Sequence, residues 1–264
     1  MEKEVQTDIT KNIEKVENIE TQRVETTQLE VVQNDALTIE EIETGLVYNG
    51  SMVRVADISE EFRKVIEPIL RMYNAAMNVT TARIEIIKDE SRYKNVRCPV
   101  HHIDTRLKSA GSILGKLQKK NLDLTIGAAC NNIYDIAGVR IVCPYIKDVY
   151  FIRDRILAQD DIEVMKVKDY IEHPKENGYR SYHLIIRVPV FFMNKKQMVP
   201  VEIQIRTMAM DLWASLEHDI SYKAINSKGE YQGDYSEFRE ELTECSRLIY
   251  EAEEKMERMN SMLE

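Results

Sequence analysis

The sequence predicts an α+β or α/β domain in which helices frame a small mixed β-sheet. Two observations carry this prediction. Apolar and polar residues alternate with a period of two in several short segments between residues 139 and 207, and helical periodicity fills the chain before and after them. Helices that precede and follow a set of strands are typical of helices packed around a single sheet.

The first 50 residues form an acidic extension. They carry 12 acidic and 4 basic side chains, which is most of the formal net charge of −9, and their first aromatic residue is Tyr48. Low apolar density with an acidic bias predicts a mobile or weakly helical segment over 1–55. The rest of the chain is close to neutral, so a phosphate site must come from local basic clusters.

Cysteine usage and hydropathy predict a reduced, cytoplasmic protein. The four cysteines show no Cys-x-x-Cys spacing, and the N-terminal residues have no apolar signal region. The longest apolar stretch, 184–193, is interrupted by Arg187 and Pro189 and falls short of the roughly 20 residues of a spanning helix. We therefore expect no membrane segment.

Helices and strands are expected in the following order. A helix begins with Ser59 as N-cap, a second helical stretch covers 80–92, and the basic stretch 105–120 is helical. The remaining elements are a strand at 139–143, an amphipathic helix at 146–157, strands at 162–171, 181–192 and 198–207 with a turn at 193–197, and helices at 208–222 and 235–262.

The basic stretch is the first candidate for chemistry. Ser112, Lys116 and Lys119 share one helix face, and Arg106 and Lys108 precede them. Such a cluster can bind a di- or triphosphate through charge-assisted hydrogen bonds. An ordinary solvated helix surface is the alternative interpretation of these charges.

Two carboxylates are candidates for a metal site. Asp135 precedes a predicted strand, and Glu202 lies within one, where alternation places Gln204 and Arg206 on the same face. Mg²⁺ takes one or two carboxylates and fills its other positions with phosphate oxygens and water. The alternatives are a turn cap for Asp135 and the solvated side of a half-exposed sheet for Glu202.

Tyr179 follows Asn177-Gly178, a sequence that predicts a loop tip. Its ring could stack on a base there, and Lys175 and His183 could reach phosphate or ribose. Packing against a neighbouring loop is the alternative for Tyr179. The chain has no Gly-x-x-x-x-Gly-Lys-Ser/Thr loop, so nucleotide binding through a P-loop is not expected.

Taken together, these motifs resemble the synthetase domain of the RelA/SpoT family, most closely its stand-alone small alarmone synthetases of the RelQ type. The resemblance covers roughly residues 57–262. It rests on Arg106-Leu107-Lys108 with Ser112 and Lys116, the segment 134–141, the segments 169–171 and 174–183, the strand 201–207, and the segment 213–218.

The resemblance implies a nucleotidyltransferase-like mixed sheet of about five strands flanked by helices. It also implies transfer of the β,γ-pyrophosphate of ATP to the ribose 3′-hydroxyl of GTP or GDP, which gives pppGpp or ppGpp and AMP. By the same resemblance, Asp135 and Glu202 hold Mg²⁺, and Glu202 and Arg140 act with Asp135 in catalysis. The ATP-binding residues would be Arg106, Lys108, Ser112, Lys116, Lys119 and Arg140, and the GTP- or GDP-binding residues Lys175, Tyr179, His183, Gln204 and Asp211.

The resemblance further implies a division of the chain into a synthetase domain at 56–225 and a C-terminal helix at 226–264 that joins subunits into a homotetramer. Such a chain would synthesise the alarmone without degrading it. Regulation by a bound alarmone or by single-stranded RNA is also implied by the resemblance.

Two other functions remain open from the sequence. The same transfer could use another acceptor, either the 3′ end of tRNA or an adenine nucleotide, although a tRNA partner favours a basic surface that the near-neutral body lacks. A catalytically idle nucleotide- or RNA-binding regulator would be expected to have lost a metal carboxylate, whereas Asp135 and Glu202 are both present.

Overall fold

The computed structural model describes residues 55–224 and 235–263, so the predicted acidic extension lies almost wholly outside the described residues. The first helix, α1, runs without interruption over Val55–Tyr93 and already includes the residues before Ser59. The prediction of two separate helices, with Ser59 as N-cap of the first, was therefore wrong. The hydroxyls of Thr80 and Thr81 donate to the backbone carbonyls of Ala76 and Met77, four residues earlier, so these two polar side chains are satisfied within the helix.

The basic stretch forms two elements where one helix was predicted. Strand β1 covers His102–Leu107, and helix α2 covers Ala110–Lys119 with Ser109 as its N-cap. β1 pairs antiparallel with strand β2, Ala137–Cys143, and this pairing outweighs the local helical pattern. A short helix between them, α3 at Ile126–Asn132, was not predicted.

The sheet has five strands, as the resemblance implied. The remaining strands are β3 (Glu163–Asp169), β4 (Tyr182–Phe192) and β5 (Lys195–Thr207), and the spatial order is β1-β2-β5-β4-β3. Only β2 and β5 pair in parallel, so the sheet is mixed and the predicted α+β class is confirmed. The predicted turn at 193–197 shortens to Met193 and Asn194, both at positive φ, as in a tight hairpin.

Strand register separates a polar face from an apolar face. Glu202 pairs with Gly138, and Gln204 pairs with Arg140 on one side and His183 on the other. Because side chains alternate along a strand, these residues share one face. Along the three central strands the opposite face is buried and includes Val139, Ile141, Leu184, Ile186, Ile203 and Ile205. Helix α1 contacts four of the strands, and helix α4, Ile146–Leu157, packs against the central pair.

Two further helices follow the sheet, as predicted: α5 at Met208–Ala224 and α6 at Tyr235–Ser261. They pack against each other. On α6, the helix that the resemblance implies joins subunits, Leu248, Met256 and Met259 are each more than half exposed. Among the helices described, none is both long and apolar enough to cross a bilayer.

Candidate active site

Two open clefts lie side by side on the polar face of the sheet. The first cleft is lined from β1, β2 and β5, and the second from α2, β3 and β4. Asp135 and Glu202 line both clefts and form the wall between them. Any reaction that joins the contents of the two clefts would take place beside this carboxylate pair.

Asp135 lies between two lysine ammonium groups. Lys116 Nζ is 2.7 Å from Asp135 Oδ1, and Lys108 Nζ is 3.2 Å from Oδ2. The backbone of Lys108 is fixed beside Asp135 because its N–H donates to the Ile136 carbonyl. Burial alone raises the pKa of Asp135, but the two ammonium groups outweigh burial and hold the pKa below its ordinary value. Asp135 is therefore ionised at neutral pH.

Glu202 is held in the middle of β5 by polar neighbours. The Gln204 amide donates to Glu202 Oε2 at 3.1 Å, and His183 Nδ1 lies 3.7 Å from Oε1. Burial raises the pKa of Glu202, and so to a lesser extent does the charge of Asp135. The opposing influence of His183 and Gln204 is larger, so the pKa lies below its ordinary value and the carboxylate is ionised.

Tyr179 is anchored through its hydroxyl oxygen. Arg206 donates to this oxygen at 2.7 Å, and His183 Nε2 lies 2.9 Å from it. The Lys175 ammonium sits 4.5 Å from the centre of the Tyr179 ring, and the Trp213 ring lies 6.4 Å away edge-on. One end of the tyrosine is thus tied to the sheet, and its ring projects into an aromatic and cationic cluster.

Arg206 was not predicted as a site residue, yet it organises this part of the site. Its side chain is only 7% exposed. It donates to Gln204 Oε1 at 2.9 Å and to Asp211 Oδ1 at 3.2 Å. The same Asp211 oxygen lies 3.4 Å from a guanidinium nitrogen of Arg140, so one carboxylate joins an arginine of β2 to an arginine of β5. The alternation of β5, which placed Arg206 beside Gln204 and Glu202, was the available signal.

The predicted phosphate-binding residues are dispersed between the clefts. Arg106, Lys108 and Arg140 line the first cleft, and Lys116 lines the second. Ser112 and Lys119 are exposed on α2 and do not belong to the lining of either cleft, and the Ser112 hydroxyl contacts Ser109 at 2.9 Å.

Two of the residues predicted to bind the acceptor are also separated. Gln204 lines the first cleft and His183 the second. Lys166 and Lys168 of β3 line the second cleft as well, and neither was predicted as a site residue. Strand β3 belongs to the sheet only through its pairing with β4, so its position beside the site could not be read from its own residues.

The donor set fits a hard divalent cation. Among residues 55–224 and 235–263 there is no group of three or more His, Cys, Asp or Glu side chains arranged to enclose a metal. Two ionised carboxylates between open clefts suit an ion such as Mg²⁺, which keeps most of its coordination sphere for phosphate oxygens and water. Clefts rich in cations around such a pair suit phosphoryl transfer, in which a protein contributes mainly positioning and charge neutralisation.

The fold and the site thus define a phosphoryl-transfer type of enzyme. Comparison with known proteins agrees: a family model described as the region found in RelA/SpoT proteins matches residues 105–227. GTP pyrophosphokinase YwaC of Bacillus subtilis is 41% identical over 187 residues, which is 71% of this chain and 86% of YwaC. GTP pyrophosphokinase YjbM of the same organism is 35% identical over 157 residues, 60% of this chain and 73% of YjbM. This chain belongs to the RelA/SpoT family.

Solved structures show the same architecture. Small alarmone synthetase 1 of Bacillus subtilis, bound to its product pppGpp, has a TM-score of 0.65 and 28% identity over 77% of this chain and 98% of its own. Small alarmone synthetase 2 of the same organism has a TM-score of 0.64 and 38% identity over 74% of this chain and 98% of its own. The likeness therefore extends over nearly the whole of each synthetase.

Proposed function

We propose that this protein is a GTP/GDP pyrophosphokinase that transfers the β,γ-pyrophosphate of ATP to the 3′-hydroxyl of GTP or GDP. The products are pppGpp or ppGpp, and AMP. The observation that supports this most is the wall formed by Asp135 and Glu202 between two basic clefts. Transfer between two nucleotides needs two adjoining sites with the reacting atoms at their boundary. The activities in the names of YwaC and YjbM agree with this proposal.

The first cleft suits the donor. Arg106, Lys108 and Arg140 supply three cations there. Lys116, which lines the second cleft, and Ser112 and Lys119, which are exposed on α2 outside both clefts, would contact the ATP phosphates from the side of α2. Guanidinium groups bind phosphate oxygens in pairs and stack on flat rings, so Arg106 and Arg140 suit ATP. Asp211 keeps Arg140 oriented towards β5.

The acceptor would occupy the second cleft and extend past His183, which lines it, to the Tyr179 cluster, because the Tyr179 hydroxyl lies 2.9 Å from His183 Nε2. The ring of Tyr179 would stack on guanine, and Lys175 and His183 would contact the sugar and phosphates. Gln204 and Asp211 act on the same nucleotide through Arg206, which holds the tyrosine hydroxyl. Stacking on a ring that is already fixed costs less ordering than stacking on a free one.

Glu202 would remove the proton from the acceptor hydroxyl. As the 3′-oxygen bonds to the β-phosphorus of ATP, the bond between that phosphorus and the oxygen on the α-phosphate breaks, and AMP leaves with the electron pair. Asp135 and Glu202 would hold Mg²⁺, which would neutralise charge on the phosphates during transfer. Lys108 and Lys116, which now neutralise Asp135, would be free to contact phosphate oxygens. Because ATP and GTP are cytoplasmic nucleotides, we place the protein in the cytoplasm.

A product assay tests this function. Purified protein is incubated with ATP labelled at the γ-phosphate and with GDP, GTP, ATP or tRNA in turn, each with Mg²⁺ and with excess chelator. We expect label in ppGpp and pppGpp, one AMP for each product, and no transfer with chelator. Label on tRNA or on an adenine nucleotide alone would support the altered-acceptor alternative. A protein that bound nucleotides without any transfer would be the idle regulator.

We also propose that α6 joins subunits in a homotetramer. Leu248, Met256 and Met259 are exposed on α6 in a single chain, whereas a second copy could cover them. Light scattering at micromolar concentration should therefore give four times the chain mass of 30.8 kDa. Met256→Glu should shift the mass downwards, and Glu251→Gln, also on α6, should leave it unchanged. A wild-type protein that is monomeric under these conditions would contradict the proposal.

A further inference from the structure

The C-terminal helix α6 contacts the segment that carries Tyr179. We call residues 174–180 the acceptor loop. We infer that Ser246 of α6 is a positioning residue for the acceptor nucleotide, acting through this loop; the inference rests on the proposed function of Tyr179.

The first contact is made just before Tyr179. The Ser246 hydroxyl donates to the Gly178 carbonyl at 2.5 Å, and Ser246 is only 5% exposed. Gly178 has a φ of +84°, and a Cβ built there would lie 2.6 Å from the Cβ of Ser246. The approach is so close that glycine is required on the loop and a small side chain is required on the helix. Nearby, the Thr243 hydroxyl lies 3.1 Å from the Glu176 carbonyl of the loop and 2.9 Å from the Arg239 carbonyl of its own helix, and it can donate to either.

The second contact is made just after Tyr179. The Arg180 guanidinium lies 4.0 Å from the centre of the Tyr250 ring on α6, a favourable cation–π distance. The same guanidinium donates to the Ile171 carbonyl at 2.9 Å, so it also ties the end of the loop to the segment that precedes it. Both neighbours of Tyr179 are therefore fixed against α6.

A third contact places α6 relative to the ring itself. The Trp213 indole N–H donates to the Leu242 carbonyl of α6 at 3.1 Å, and the Trp213 ring stands beside Tyr179. The position of the Tyr179 ring thus depends on a helix more than 60 residues further along the chain. A loop held in its binding geometry before the ligand arrives loses less entropy on binding.

The donor site depends on other elements. Arg106, Lys108 and Arg140 are carried by β1, β2 and the segment before α2. Loosening the contact between α6 and the loop should therefore weaken the binding of the acceptor nucleotide and leave the binding of ATP unchanged. If the role of Ser246 were purely structural, its loss would weaken the binding of both nucleotides or lower thermal stability alone.

The test compares Ser246→Ala with Cys245→Ala, its exposed neighbour on the same helix. Trp213 is the only tryptophan in the sequence, so its fluorescence reports GDP binding next to Tyr179 directly. Titrations with GDP alone and ATP alone are followed by steady-state assays with each substrate varied. A melting curve of each variant establishes that it is folded.

For Ser246→Ala we expect Kd for GDP and KM for GTP to rise about 5- to 10-fold, the usual effect of one lost hydrogen bond to a buried carbonyl. Binding of ATP should change less than about twofold, and Cys245→Ala should match wild type. Thr243→Val should move GDP affinity in the same direction by a smaller factor.

Unchanged GDP affinity in folded Ser246→Ala would overturn the inference, and so would an equal loss of affinity for GDP and ATP. A wild-type protein that binds ATP but no guanine nucleotide would overturn the proposed function instead, and with it the premise on which the inference rests. The two failures are therefore distinguishable from the wild-type titration alone.

Discussion

Glu202→Gln is expected to lower kcat by about 10³- to 10⁴-fold while the protein stays folded. The amide has the same shape as the carboxylate but can neither accept the proton of the acceptor hydroxyl nor bind a cation through an anionic oxygen. It also removes the charge that faces His183 at 3.7 Å. Steady-state assays with saturating ATP and GTP give kcat, and a melting curve shows that the fold is intact.

The matched control for this variant is Glu163→Gln. Glu163 is an exposed carboxylate on β3 of the same sheet, where it pairs with Arg187 at 3.2 Å. An exposed ion pair contributes little to stability, so kcat and the melting temperature should stay close to wild type. If Glu202→Gln also made pppGpp at near the wild-type rate, Glu202 would have no part in the reaction.

The core of the sheet could be predicted from the sequence because its strands alternate. In β5 the residues Val201, Ile203 and Ile205 are buried, and Glu202 and Gln204 face the clefts, as the pattern indicates. Strand β1 was missed because it lies at the edge of the sheet and most of its residues are exposed or half-buried, which leaves little alternation to detect. Its position follows from pairing with β2, a contact that is not local.

Some residues of the candidate site could likewise be predicted from the sequence, and others could not. Asp135, Glu202, Tyr179 and His183 stand in short motifs; in the structure Asp135, Glu202 and His183 line the second cleft, and Tyr179 is joined to them through His183. Arg206 was hidden because a buried arginine cannot be told from a surface one until its partners, Tyr179 and Asp211, are known. The contact between Ser246 and Gly178 spans 68 residues, so no local pattern could predict it.

Helix α6 illustrates a limit of apolar patterning. The apolar residues of α6 indicate contacts with other subunits, but they do not indicate the face that packs on the rest of the chain, which presents Ser246 and Glu253, both buried. A further acid of α6, Glu257, accepts hydrogen bonds from the backbone N–H groups of Ile146 and Lys147 at the first turn of α4. Polar groups therefore fix α6 in place. The burial of one of them, the Glu253 carboxylate, costs free energy of folding.

Glu253→Gln is expected to stabilise the protein above neutral pH. Glu253 is 6% exposed, and neither carboxylate oxygen has a hydrogen-bond partner of good geometry among the described residues. Burial raises the pKa of Glu253 to about 7 from an ordinary value of 4.5; Arg180 and Thr207 oppose the rise, and Glu257 and Glu254 add to it. A shift of this size corresponds to about 3 kcal/mol.

The direction of the pH effect on stability follows from whether the folded or the unfolded protein binds the Glu253 proton more tightly. The folded protein keeps the Glu253 proton to a higher pH than the unfolded chain does, so this contribution to stability is complete below about pH 4.5. It is lost as the pH rises through about 7. A glutamine is neutral throughout and shows no such loss. The advantage of Glu253→Gln should thus grow from almost nothing at acid pH to about 3 kcal/mol at pH 8.

Urea unfolding of both proteins at a series of pH values, at one protein concentration, measures this difference. Glu241→Gln, which changes an exposed acid of the same helix, should follow the wild-type curve. Parallel curves for wild type and Glu253→Gln would mean that burial does not destabilise the ionised carboxylate.

The same ionisation should affect acceptor binding, because Glu253, Gly178 and Arg180 line one small cavity. Ionisation of Glu253 at alkaline pH should loosen α6 in the wild-type protein and lower its affinity for GDP, whereas Glu253→Gln should retain that affinity.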